Sequence, residues 1–244
     1  MLTKYDNELK KNNFLKLHPE YLPYIGDNYD EDRVLQIGES HYIEQEYNDT
    51  RDEYDINYFC DNWWSYPCAD LLAAYPWQYN TREVIKGFVK GTGKFYSIFA
   101  NFSTAYAESI NNIGASKAER IKYYEKRFAF TDFYMMPSIY KATNIIKAIK
   151  KGCKKIGIKN ANAILDDIEQ KSTDVIDGII EVIKPKKIIF TSSNAANAYK
   201  KCGGKYVNDI RVCYAYHPGA IKWNQDQDAI HGKGKARVIS ALKN

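Results

Sequence analysis

Four short apolar runs, each ending in a polar cluster, punctuate a chain whose remaining apolar residues recur mostly at helical spacing. The runs are residues 33–38 (RVLQIG), 128–133 (FAFTDF), 186–193 (KKIIFTSS) and 211–219 (RVCYAYHPG). Each is too short for a stable helix and is bounded by charged or turn-forming residues, which predicts a buried strand. Residues 5–17 carry Leu9, Phe14, Leu15 and Leu17 at loosely helical spacing before Pro19, Pro23 and Gly26 break the pattern. That predicts a peripheral N-terminal helix and loop over residues 1–30. Thr81 is expected to cap a helix with the apolar face Val84, Ile85, Phe88 and Val89, stopping near Gly91. Ser116 and Glu119 form a capping-box pair that predicts a helix over 116–126. A long amphipathic helix is expected over about 162–183, ahead of Pro185. Ser192, Ser193 or Asn194 caps an alanine-rich helix after the third run, and a last helix is expected over roughly 228–242. The polar and aromatic tract from 39 to 80 predicts a partly irregular insertion in which Trp63 and Trp64 serve packing.

Strands alternating with helices long enough to be crossovers predict an α/β fold: a three-layer α/β/α sandwich with a central, mainly parallel four-stranded sheet. In open sheets of this kind ligands bind beyond the carboxyl ends of the strands. The ends here are Gly38 to Tyr42, Thr131 and Asp132, Thr191 to Asn194, and His217, so a shared site is expected along that edge.

The chain has 244 residues, 45% of them hydrophobic, and no Pro/Gly/Ser-rich linker, which predicts a single domain over 1–244. The net charge of +5 permits a polyanionic partner without requiring one. Six lysines between 147 and 159 are either a solvated face or a phosphate track. The N-terminus lacks the apolar core of a signal peptide and no stretch is long enough to span a bilayer, so a cytoplasmic protein with no membrane partner is expected, as a monomer. Five scattered cysteines fit neither a disulfide framework nor a CxxC site, and four histidines have no pair at metal-ligand spacing, so neither metal nor cofactor is expected. The GTGKF segment at 91–95 fails as a phosphate loop, because Phe88 stands where the first glycine is needed and Phe95 where Ser or Thr is.

The polar strand ends resemble the uracil-DNA glycosylase superfamily. The resemblance rests on GESHY (38–42), FTDF (130–133), Thr191-Ser192-Ser193-Asn194 leading into the alanine-rich helix, and Tyr216-His217-Pro218-Gly219, and it extends over roughly residues 33–242. It implies the three-layer fold and hydrolysis of the N-glycosidic bond of a deaminated or damaged base in single- or double-stranded DNA. Glu39 and His217 become the catalytic pair: the carboxylate near the sugar positions water, and the imidazole stabilises charge on the departing base. Ser40, His41, Tyr42, Asp132 and Phe133 would bind the flipped base. Ser192, Ser193, Asn194, Gly219, Ile221, Lys222 and Trp223 would meet the DNA, with Ile221 or Trp223 filling the vacated stack.

Several positions depart from the family. Ser40 stands where one branch has its water-activating Asp, and Glu39 matches the acid of a second branch, whose iron-sulfur cysteine spacing is absent. Asp132 replaces an Asn that both donates and accepts, whereas a carboxylate only accepts unless protonated. Unmodified uracil is therefore not expected to be the best substrate. Two alternatives are a catalytically silent nucleic-acid-binding protein of the same fold and a serine esterase with Ser40 as nucleophile and His217 as base. The esterase pattern lacks its Asp three residues before His217, where Tyr214 stands.

Overall fold

The structure, a computed structural model, describes residues 1–41, 62–67, 80–91, 96–138 and 144–244. Its centre is a five-stranded sheet of β1 (Tyr24–Ile25), β2 (Val34–Gly38), β3 (Phe128–Asp132), β4 (Lys187–Phe190) and β5 (Val212–Tyr214). The spatial order is β1-β3-β2-β4-β5. The four expected strands are β2 to β5 and run parallel. The fifth, β1, is a two-residue antiparallel edge strand on β3, pinned between Pro23 and Gly26.

Along β2 the pleat sends Leu35 and Ile37 to one face, where they join Ala129, Ile188 and Phe190, while Val34 joins Phe128, Phe130 and Ile189 on the other. Both faces are apolar because both are covered by helices, as a parallel sheet requires. The first face packs α1 (Asp6–Leu9), α2 (Asn13–Leu17), α7 (Ile145–Lys155), α8 (Ala161–Ile183) and α9 (Ser193–Lys201). The second packs α4 (Thr81–Lys90), α5 (Tyr96–Ser109), α6 (Lys117–Arg127) and α11 (Lys235–Lys243). Two short helices, α3 (Tyr29–Asp32) and α10 (Ile221–Gln225), complete the described residues. Helix α8 buries Ile168, Ile176, Ile179, Ile180 and Ile183, each contributing roughly 1.5–3 kcal/mol by leaving water.

Local chemistry redraws some expected boundaries. The single helix over 5–17 is two, because the Asn12 side chain accepts the N–H of Phe14 and Leu15 and starts α2 afresh. Asn80, not Thr81, caps α4, accepting from Arg82 and Glu83, and Thr81 is the first helical residue. The Ser116–Glu119 capping box forms. The last helix starts at Lys235 rather than near 228, because Asp226 and Asp228 accept backbone N–H groups of residues 228, 230, 231 and 233 and hold that stretch as a loop. Among the described residues, no helix is long and apolar enough to cross a membrane.

Candidate active site

Register places the site. Gly38 is the partner of Asp132 across β2 and β3, and Ile37 is the partner of Phe190 across β2 and β4. The residues just past these pairs therefore emerge together. Backbone bonds extend the alignment beyond the sheet: Phe133 N–H donates to the Gly38 carbonyl, Tyr134 N–H to that of Glu39, and Thr191 N–H to that of Ile37. A cavity of about 500 Å³, counted to its open mouth, lies over these ends. Its polar lining is Glu39, Ser40, His41, Asp132, Thr191 and His217; its apolar walls are Val84, Ile98, Phe99 and Phe130. That size and mixture suit a small planar ligand.

Glu39 is held from two sides. Ser192 Oγ donates to its Oε2 at 2.7 Å and Asn194 Nδ2 to its Oε1 at 3.1 Å. Ser192 also caps α9, its oxygen accepting the Ala195 N–H, so the hydroxyl proton is committed to Glu39. The carboxylate thus has both oxygens bonded and stands near the positive end of α9.

His217 is fixed by its own turn. Gly219 N–H donates to His217 Nδ1 at 3.1 Å, so in the neutral ring the proton is on Nε2. A Cβ at Gly219 would meet that ring at 3.2 Å, and Asn101 Nδ2 ties the turn to α5 through the Pro218 carbonyl. Burial lowers the His217 pKa, while the charge of Glu39 pulls it back up. The cavity therefore holds an acceptor-only carboxylate and an N–H donor.

A second acid and a second imidazole lie deeper. His41 Nδ1 stands 3.2 Å from Asp132 Oδ2, and His41 Nε2 lies 2.9 Å from Thr81 Oγ1. Burial pushes His41 down to about 3, so the ring is neutral. Burial, with the charge of Glu39 adding to it, pushes Asp132 up to about 8. Gly38 is required here, because a Cβ on it would lie 2.1 Å from Asp132 Oδ1.

Of the residues expected to bind a base, Ser40, His41 and Asp132 line the cavity, and Tyr42 lies outside the described residues, as does the alternative aromatic Phe59. Phe133 does not line it. It is buried on the opposite face of the sheet against Tyr134 and Tyr199, and the aromatic walls are Phe99 and Phe130. Among the residues expected at DNA, Trp223 is 1% exposed and packs in the core, so it cannot enter a base stack. Ile221 is 78% exposed, and Gly219 and Lys222 are exposed beside it. Ser192 is buried, and with Asn194 it serves Glu39; Ser193 is half-buried at the start of α9. Thr81, Phe99 and Phe130 were not singled out from sequence as site residues. The first two lie in segments far from the strand ends, and Phe130 points into the cavity by the pleat of β3.

Ser40 Oγ has no hydrogen-bond partner and so touches neither imidazole. Among the described residues, no group of three His, Cys, Asp or Glu side chains could hold a metal ion. The chain matches no family model, no curated protein and no solved structure.

Proposed function

We propose that this protein is a DNA N-glycosylase that hydrolyses the bond between deoxyribose and a deaminated or damaged base. The observation that carries the reading is the pairing, in one base-sized cavity, of the doubly held Glu39 carboxylate with the Nε2–H of His217. In this chemistry the C1′–N bond breaks with its electron pair going to the base, leaving an oxocarbenium-like sugar. The His217 N–H would stabilise the anionic base through its oxygen, and Glu39 would stabilise the cation and orient water for attack at C1′. The water proton leaves through the carboxylate to solvent, and the products are free base and an abasic sugar. Phe99 and Phe130 would flank a base flipped out of the stack, and the exposed Ile221 and Lys222 would face the strand that gave it up. The chemistry does not draw on Ser40 as a nucleophile, consistent with its lack of an imidazole partner.

The test is abasic-site formation on single- and double-stranded oligonucleotides carrying uracil, hypoxanthine or xanthine. Wild-type protein should give alkali-labile sites, and Glu39→Gln should slow this by about 100-fold or more, the usual contribution of a positioned acid or base. Salt-sensitive DNA binding with no abasic product from any substrate would replace the reading with that of a silent nucleic-acid binder.

A further inference from the structure

The cavity has a closed end whose chemistry the glycosidic step does not use. Asp132 there is 5% exposed, and Ser40 beside it is 6% exposed with an unpartnered hydroxyl. Two buried polar groups facing the same cavity, one of them lacking any partner in the protein, point to a ligand that completes them.

We propose that Asp132 is the specificity-determining residue of this site, reading the ligand as a carboxylic acid: O–H donating and C=O accepting to a heterocycle edge that carries an acceptor and an N–H side by side. The inference rests on the glycosylase reading for its substrate and on the geometry for the protonation. The titratable groups around Asp132 are Glu39 and His41 from the end of β2, Tyr124 from α6, and His217 beyond β5. Among the described residues lining the cavity there is no lysine or arginine. Glu39 already holds the negative charge of the cavity, fixed there by Ser192 and Asn194. A second carboxylate a few residues away, without a cation, keeps its proton.

The neighbours also fix which oxygen carries that proton. Thr81 Oγ1 has His41 as its hydrogen-bond partner, so its hydroxyl proton goes to Nε2 and the His41 proton lies on Nδ1, facing Asp132 Oδ2. Oδ2 is thereby the carbonyl-like oxygen, and the acid proton falls on Oδ1, the oxygen seated over Gly38. Because Asp132 ionises near pH 8, the donor half of this reading is lost in mildly alkaline solution. A neutral Asp offers the same donor and acceptor pair as an Asn amide, but the amide does not titrate.

Asp132→Asn is therefore the decisive variant. Single-turnover base release from the oligonucleotides above is measured for wild type and variant from about pH 6 to about pH 9. Beside it, binding of free uracil and hypoxanthine is followed by NMR titration over the same range. Wild-type release and binding should fall above about pH 8, approaching tenfold per pH unit, while Asp132→Asn stays within roughly tenfold of wild type at neutral pH and shows no such fall. Ionisation of the ligand is common to both proteins and cancels in the comparison. A wild-type profile flat through pH 9 overturns the inference, and so does a folded Asp132→Asn protein that neither binds nor releases base, or that retains the alkaline fall. Free-base binding with the expected pH dependence but no base release at any pH would uphold Asp132 as the reader and sink the glycosylase reading alone. If no base is bound or released at all, both fail.

Discussion

At the scale of single residues, the site depends on side chains already committed to a second task. Ser192 both caps α9 and donates to Glu39, and Gly219 both forms the turn after Pro218 and fixes the tautomer of His217. Asn194 has the plainer role of holding one Glu39 oxygen, so it is the better probe of positioning. Asn194→Ala should lower base release roughly tenfold, the rate equivalent of one hydrogen bond to a charged group, with KM and the melting temperature nearly unchanged. An unaltered rate would mean that Ser192 alone orients the carboxylate. Glu39, His41, Asp132 and His217 stood out in sequence because each follows an apolar strand. The task of Asn194 did not stand out, because a polar residue at a helix start looks the same whether it caps, meets a ligand or holds a distant acid. Phe133 shows the opposite failure. Adjacency to Asp132 suggested a shared role, but successive residues leave a strand on opposite sides.

At the scale of elements, the strands carrying the site were legible because burial on both faces makes them near-continuous apolar runs. Strand β1 was not, since two residues carry no periodicity. Helix α5 was passed over although Phe99, Phe102 and Tyr106 recur at helical spacing, because Ser, Thr and Asn between them dilute the pattern. Helix α4 bears most directly on the cavity: it supplies Val84 and brings Thr81 to His41. It is anchored by the Asn80 cap and by a two-point bond from Arg82 to Asp6 at 2.8 and 2.6 Å. Asn80→Ala should destabilise the protein by about 1 kcal/mol in urea unfolding, because two N–H groups of the first turn lose their acceptor. Thr81→Ala should leave that cap intact, so an equal loss from Thr81→Ala would show that the stabilisation comes from the cavity contact instead.

Across the whole molecule, the buried Asp132 and His41 impose a definite dependence of stability on pH. Asp132 is raised from 3.8 to about 8, so the folded state holds a proton that the unfolded state has released; its contribution is full below about pH 3.8 and is lost as pH rises through 8. His41 is lowered from 6.5 to about 3, so its contribution runs the other way, present above pH 6.5 and lost as pH falls towards 3. Between about pH 4 and pH 6.5 the two slopes cancel, because folded and unfolded states then bind the same number of protons in this pair. The difference in unfolding free energy between wild type and Asp132→Asn isolates the first contribution. It should fall steadily from about pH 4 to about pH 8, and a difference that stays constant over that range would show that Asp132 is ionised in the folded protein.

The strand order β1-β3-β2-β4-β5 has a further consequence for the growing chain. Strand β2 is made early but sits in the middle, and its two neighbours come from segments about 90 and 150 residues later. Glu39 and Asp132 can be brought together once β3 has emerged, whereas the Ser192 and Asn194 that orient Glu39 arrive with α9, and His217 only after β5. During synthesis from the N-terminus the pocket thus acquires its recognition end before its bond-breaking end, and a ribosome-bound chain stopped short of Val212 has no imidazole to place opposite Glu39 from that last strand.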